Sequence, residues 1–230
     1  MSNLIGTSLF FGVAVSLIGY EVGMFLKKKC KLAIFNPLLI AIIFVMVLLS
    51  ICRVDYEQYN EGAKYLSYLL TPATVCLAIP LYEQMELLKK HSKAIFAGIL
   101  SGVISSMGSV LAFAALFQLD HSQYVTLLPK SITTAIGMGV SEELGGIVTI
   151  TVAVIIITGV LGNMIAEIVC KVFRIEEPVA KGVALGTSAH AIGTVKAMEL
   201  GEIEGAMSSL AIAVAGLITA VGASFFAGLY

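Results

Sequence analysis

Apolar positions in this chain fall in long unbroken runs, not in the alternation of a half-buried strand or the one-sided stripe of a soluble helix. Residues 4–26, 32–52, 94–117, 147–170 and 207–230 each supply the roughly 20 apolar residues that a helix needs to cross a hydrocarbon core. A shorter stretch, 65–82, carries Pro72 and Pro80. Each proline removes a backbone donor, so a broken span is predicted there. Two further stretches, 126–146 and 182–206, are apolar on average but crowded with Gly, Ser, Thr and ionisable residues. Irregular backbone survives at membrane depth only where protein buries it or it lines a watery cavity. The pattern therefore predicts an all-α polytopic membrane protein of about six spans plus two re-entrant or broken-helix segments, in one transmembrane domain over residues 1–230.

Composition sharpens this picture. Of the 230 residues, 58% are hydrophobic and 13% charged, with no Trp and a net charge of −1, whereas a soluble domain carries about 25% charged residues. These values exclude a soluble globular protein, a disordered chain and a nucleic-acid binder; the bilayer is the expected solvent. Cys30, Cys52, Cys76 and Cys170 show no CxxC spacing and read as small hydrophobes. The first apolar run lacks a basic leader and a small-residue cleavage site, so it is expected to be a retained span.

Lys and Arg concentrate in cytoplasmic loops. Placing Lys27, Lys28, Lys29 and Lys31 inside puts Lys89, Lys90 and Lys93 inside as well. Lys171, Arg174 and Lys181 join them only if 126–146 enters and leaves on the outer side. Ten basic residues are then inside and two, Arg53 and Lys64, outside. Both termini are expected to face outward, with 182–206 re-entering from the cytoplasm.

Shifting the chain by 57 residues aligns Pro72 with Pro129, Thr74 with Ser131, Glu86 with Glu143 and Gly102 with Gly159. A second shift reaches Ser188 and Gly216. Aliphatic matches carry little weight in so apolar a chain, but proline, Glu and the glycine register recur. Three repeat units are expected near 66–118, 123–175 and 180–230, each a polar broken segment followed by a span, with alternating direction. Inverted repeats with discontinuous helices are the plan of many secondary transporters, which bind substrate at mid-membrane.

The candidate chemistry lies in the broken segments. Pro129 stands where a helix can begin, because the first helical position needs no amide donor. Ser131, Thr133 and Thr134 follow it, and Lys130 adds a cation to a helix start that already favours anions. A lysine at membrane depth is costly unless paired or hydrated, so Lys130 is read as a carboxylate contact. The blander alternatives are snorkelling to the interface or pairing with Glu142 or Glu143. The second segment packs Gly186, Thr187, Ser188, His190, Gly193 and Thr194 into nine residues. Its hydroxyls can replace water around a polar solute, and His190, a residue type that titrates near neutrality when unperturbed, is a candidate proton-coupling group, as is Glu143. Thr71 and Thr74, beside Pro72, join the candidate cavity through the repeat. Pro72, Pro129, Gly186 and Gly193 are the expected hinge positions. Asn163 and Glu167 are assigned to structure. No GxSxG, HExxH, Walker or Rossmann pattern occurs, so no enzymatic activity, metal or cofactor is expected.

The run Leu128-Pro129-Lys130-Ser131-Ile132-Thr133-Thr134, the run from Gly186 to Thr194 and the stretch Glu204-Gly205-Ala206-Met207-Ser208-Ser209-Leu210-Ala211 resemble the LrgB/CidB family of antiholin-like, murein-hydrolase-regulator membrane proteins. Ala135 stands where that family often has proline. The resemblance implies a bacterial inner-membrane protein paired with a small LrgA/CidA-like membrane partner. It also implies links to autolysis control and to movement of small monocarboxylates such as pyruvate, the related plastid proteins exchanging glycolate and glycerate. The expected function is proton-linked transport of such monocarboxylates by a chain that binds no nucleic acid and can form homo-oligomers. The competing expectation is a non-transporting regulator or accessory subunit of a holin-like partner.

Overall fold

The computed structural model describes residues 10–30 and 35–230. Every regular element among them is a helix. They fall into two compact units, Met1–Cys76 and Leu77–Tyr230.

The described part of the first unit holds α1 (Phe11–Cys30), α2 (Pro37–Cys52), α3 (Tyr56–Ser67) and α4 (Leu70–Cys76). Asn36 starts α2: its side chain accepts from the Leu38 and Leu39 amides at 2.9 and 3.3 Å, and Pro37 occupies the first helical position. Gly19 lies against Ala41 and Gly23 against Pro37, so α1 and α2 run antiparallel in close contact. Gly12 of α1 meets the α3 backbone at Tyr59 and Gly62, and Ser16 Oγ lies 2.7 Å from Tyr59 Oη. The predicted run 32–52 yields a 16-residue helix that starts at Pro37, because Asn36 caps it there. Residues 4–9 of the first predicted run and 32–34 of the second lie outside the described residues.

The second unit contains α5 (Ala78–Glu83), α6 (Met85–Phe117), α7 (His121–Leu127), α8 (Thr134–Glu143), α9 (Val148–Val172), α10 (Pro178–Leu200) and α11 (Glu202–Ala227). Among the described residues three helices, α6, α9 and α11, are long and apolar enough to cross a membrane. They start earlier or end later than the apolar runs, because residues 85–93, 171–172 and 202–206, which carry the flanking charges, remain helical. The predicted broken span 65–82 is interrupted between α4 and α5, where the two units divide.

The core follows helical spacing. Ile95, Ile99, Val103, Met107, Val110 and Ala114 form one buried face of α6 and pack in one cluster with Tyr124, Val125 and Leu128 and with Met207, Ala211 and Ala215 of α11. Phe96, Leu100, Ile104 and Phe113 on α6, Ile157, Leu161 and Ile168 on α9, and Leu217, Val221 and Phe225 on α11 are exposed. An exposed apolar surface of that extent is what lipid covers.

Between the long helices stand two helical hairpins. The first is α7 and α8 with the turn 128–133 as its tip. Its base is closed by Ser122 Oγ donating to Gly145 O at 3.3 Å and by the Ile147 amide donating to Thr126 Oγ1 at 2.7 Å. A buried hydroxyl cluster locks it to α9: Thr151 Oγ1 lies 2.7 Å from Ser141 Oγ and donates to Thr126 O at 2.9 Å.

The second hairpin is α10 itself, which is not one rod. His190, at φ 42° and ψ −138°, interrupts it. Gly182 faces Glu204 and Met207, and Gly186 faces Ser208 and Ala211, so the arm before His190 runs parallel to α11. After His190 the order inverts: Thr194 meets Ser208, and Met198 meets Gly205. The two arms therefore run in opposite directions, and Gly193 lies against Leu185 O and Ala189 where they approach. Lys181 and Leu200, from the two ends of the hairpin, line one cleft with Lys171 and Arg174 at the end of α9.

The hairpins point toward each other. Along α9, Thr151 contacts the first hairpin near its base, Ile155 touches both hairpins, and Gly159 to Glu167 follow the second hairpin to its base. Along α11 the order is reversed, from Ser208 at the second hairpin through Gly216 beside Ile136 to Phe226, whose carbonyl accepts from Tyr124 Oη at 2.8 Å.

Candidate functional site

The tips of the hairpins face one open cleft of about 600 Å³. Lys130 and Ser131 come from the first hairpin, Thr187 and Ser188 from the second, Gly102, Ser105 and Ser106 from α6, and Thr158 and Gly162 from α9. The walls toward the far end of α9 are apolar, formed by Leu161, Ile165, Ala166 and Val169.

The chemistry converges on Lys130. Its Nζ donates to Ser106 Oγ at 3.2 Å and to Ser131 Oγ at 3.1 Å, and those two hydroxyls are 3.0 Å apart. Among the described residues no carboxylate lies within ion-pair distance of Lys130, so neither Glu142 nor Glu143 is its partner. Both glutamates are exposed at the end of α8. A cation held by two neutral hydroxyls keeps its charge available, and an anion in the cleft would complete its shell.

The predicted site residues divide into three groups. Lys130, Ser131, Thr187 and Ser188 line the cleft together. Thr133, Thr134, Thr194, His190 and Glu143 do not line it. Thr133 is the residue before α8 and Thr134 its first. Thr194 is buried, donating to His190 O at 3.1 Å and lying 2.7 Å from Ser208 Oγ. His190 is buried with Nε2 2.9 Å from Ile155 O. The third group is Thr71, Thr74 and Pro72, on α4 in the other unit. The side chains of Thr71 and Thr74 lie outside the described residues, and Pro72 is exposed.

The hinge positions carry corrections. Pro129 does not begin a helix: the Lys130 amide bonds to Leu127 O at 3.2 Å and the Ile132 amide to Pro129 O at 3.4 Å, which carries the chain around a turn. The helix starts at Thr134 instead. Gly186, expected as a hinge, lies within the first arm of the hairpin, where it packs on Ser208 and Ala211 of α11. The break in the second segment is at His190, between Gly186 and Gly193.

Sequence reasoning missed Ser105, Ser106 and Thr158, which sit inside apolar spans. The Ser105-Ser106 pair in mid-span was the available signal. It also missed the ion pair of Lys196 with Glu167 at 2.6 Å, which ties the second hairpin to α9 and is extended by Glu199 at 3.2 Å. Asn163 fits its structural assignment, its Nδ2 donating to Ile192 O at 2.8 Å.

Comparison with known proteins gives this architecture its relatives. The LrgB-like family matches residues 16–229. The chain belongs to that family. Relatives called antiholin-like protein LrgB, from Bacillus mycoides, Bacillus cereus and Bacillus anthracis, are each 40% identical over 213 residues, covering 92% of this chain and 93% of the relative. No solved structure matches this LrgB-like chain significantly. Both hairpin tips and all three long helices fall within the matched residues.

Proposed function

We propose that this LrgB-like protein is a secondary transporter of small monocarboxylates of the pyruvate, glycolate or glycerate class. The observation that carries the reading is Lys130, a cation without a carboxylate partner among the described residues, at a hairpin tip facing hydroxyls of a second, opposed hairpin. Lys130 takes the carboxylate, and Ser131, Ser106, Thr187 and Ser188 bond the oxo or hydroxyl oxygen of the substrate. One cation matches one carboxylate, because a second negative charge would be desolvated without a partner.

A recurring spacing of 57 residues, which we read as an inverted repeat, supports the same reading. His121 and Pro178 start the two hairpins 57 residues apart, and the same interval separates Thr133 from His190 and Lys130-Ser131 from Thr187-Ser188. In this proposal the hairpins re-enter the membrane from opposite faces, within a plan of about six spans. Lys89, Lys90, Lys93, Lys171, Arg174 and Lys181 all belong to the end of the unit that holds the base of the second hairpin, whereas residues 117–123, 142–147 and 227–230 contain no Lys or Arg. By the charge rule we read the second hairpin's base as cytoplasmic and both termini as outside, in the bacterial inner membrane that the family resemblance implies.

The relatives' name, antiholin-like, favours a second reading, in which the chain regulates murein hydrolase release through a small LrgA/CidA-like partner. Carboxylate flux and partner binding are separable. Purified full-length protein in proteoliposomes is expected to take up labelled pyruvate or glycolate on its own. Absence of uptake together with block of a small partner's pore would favour the regulator.

A further inference from the structure

His190 is buried at the tip of the second hairpin, yet it is not among the residues that line the cleft. Its backbone, at φ 42° and ψ −138°, lies where a residue with a Cβ is strained and glycine is at ease. Glycine is already used nearby, at Gly186 and Gly193. A histidine at the turn itself therefore marks a task for the side chain.

That task is visible on α9. The ring Nε2 lies 2.9 Å from Ile155 O, which as a carbonyl only accepts, so Nε2 carries the hydrogen and donates. The ring fits because residue 159 is glycine: a Cβ there would stand 2.6 Å from His190 Cε1 and 2.8 Å from Nε2. The groups that α9 turns to the ring are thus a carbonyl and a bare backbone, without a charged side chain. Two further bonds hold the same tip, Asn163 Nδ2 to Ile192 O at 2.8 Å and the Thr194–Ser208 hydroxyl pair at 2.7 Å.

We infer that His190 is a positioning residue: it pins the tip of the second hairpin to α9 and so keeps Thr187 and Ser188 at the cleft opposite Lys130 and Ser131. It acts through the hairpin and does not touch the transported acid. The pinning is independent of what the cleft binds; only its consequence for uptake rests on the transport reading.

The test uses the full chain in detergent and in proteoliposomes, with His190→Ala, His190→Gln and Gly159→Ala. His190→Gln keeps an N–H donor at about the reach of Nε2 but does not titrate. Gly159→Ala leaves His190 in place and pushes its ring away. Amide hydrogen exchange over residues 186–195 is expected to rise about tenfold in His190→Ala and Gly159→Ala, the population change that follows loss of one hydrogen bond. Exchange over residues 121–127 is expected to stay unchanged, and His190→Gln to restore slow exchange at the tip. In uptake of labelled glycolate, His190→Ala is expected to raise KM more than it lowers kcat, while His190→Gln keeps the wild-type pH profile. Unchanged exchange in both His190→Ala and Gly159→Ala would overturn the inference. So would slow exchange in His190→Gln combined with loss of the pH dependence of uptake, which would make His190 a proton carrier. Altered exchange as expected in a protein that moves no carboxylate would sink the transport reading and leave the pin standing.

Discussion

Replacing Lys130 with glutamine is expected to lower uptake of labelled pyruvate or glycolate about a hundredfold while leaving the fold intact. The substitution separates charge from hydrogen bonding. Glutamine still offers N–H groups to Ser106 and Ser131, whose hydroxyls lie 3.2 and 3.1 Å from Nζ, so the hairpin tip keeps its anchors. What disappears is the positive charge. Removing one partner of a desolvated ion pair costs about 3–5 kcal/mol, which exceeds a hundredfold in affinity. The unfolding temperature in detergent is expected to hold or rise, because the empty cleft no longer carries an unpaired cation. A variant that transports normally would remove Lys130 from the site. A variant that unfolds would make Lys130 a structural residue.

The second large effect is expected at Gly186. A Cβ at this position would stand 2.5 Å from Ser208 O, 2.7 Å from Ala211 Cβ and 3.0 Å from Ser208 Cα. Two of these three atoms are backbone and cannot swing aside. Gly186→Leu therefore has to lift the first arm of the second hairpin off α11, at a cost of about 3 kcal/mol or more. Gly139→Ala is the matched comparison. It lies in α8 with nothing within 4 Å of the added carbon, so it is expected to stabilise the chain by about 0.5–1 kcal/mol through helix propensity. Thermal unfolding in detergent measures both. Equal effects at the two glycines would mean that the arm does not pack on α11 as described.

The long helices were legible because their apolar runs exceed the bilayer's requirement, and their ends were not, because residues 85–93 and 202–206, which carry the flanking charges, continue the helix beyond the apolar run. Density of Gly, Ser and Thr marked both interrupted segments, since irregular backbone needs small and hydrogen-bonding side chains. Local composition did not reveal that α10 reverses. Residues on either side of His190 are helical, and the reversal exists only through contacts with α11. Proline drew attention to Pro129 as a helix start, yet the turn that follows delays the helix to Thr134. Lys130 stood out because an isolated charge in apolar surroundings is conspicuous. Ser105, Ser106 and Thr158 did not, because a hydroxyl within a helix can bond to its own backbone and sit anywhere on the circumference. The Glu167–Lys196 pair joins residues from two elements, a relation that spacing alone does not encode.

A transport site between Lys130 and Thr187 requires two hairpins that enter from opposite faces and meet beside Ile155. Single cysteines at Ser122, Gly145, Lys181 and Met198, in a chain whose Cys30, Cys52, Cys76 and Cys170 are replaced by alanine, test this directly in intact cells with a membrane-impermeant maleimide. Ser122 and Gly145 lie together at the base of the first hairpin, and Lys181 and Met198 belong to the opposite arms of the second near its base. The first two are expected to be labelled from outside, and the other two to react only after the cells are opened. Labelling of Ser122 and Gly145 from opposite faces, or of Lys181 and Met198 from opposite faces, would contradict that arrangement.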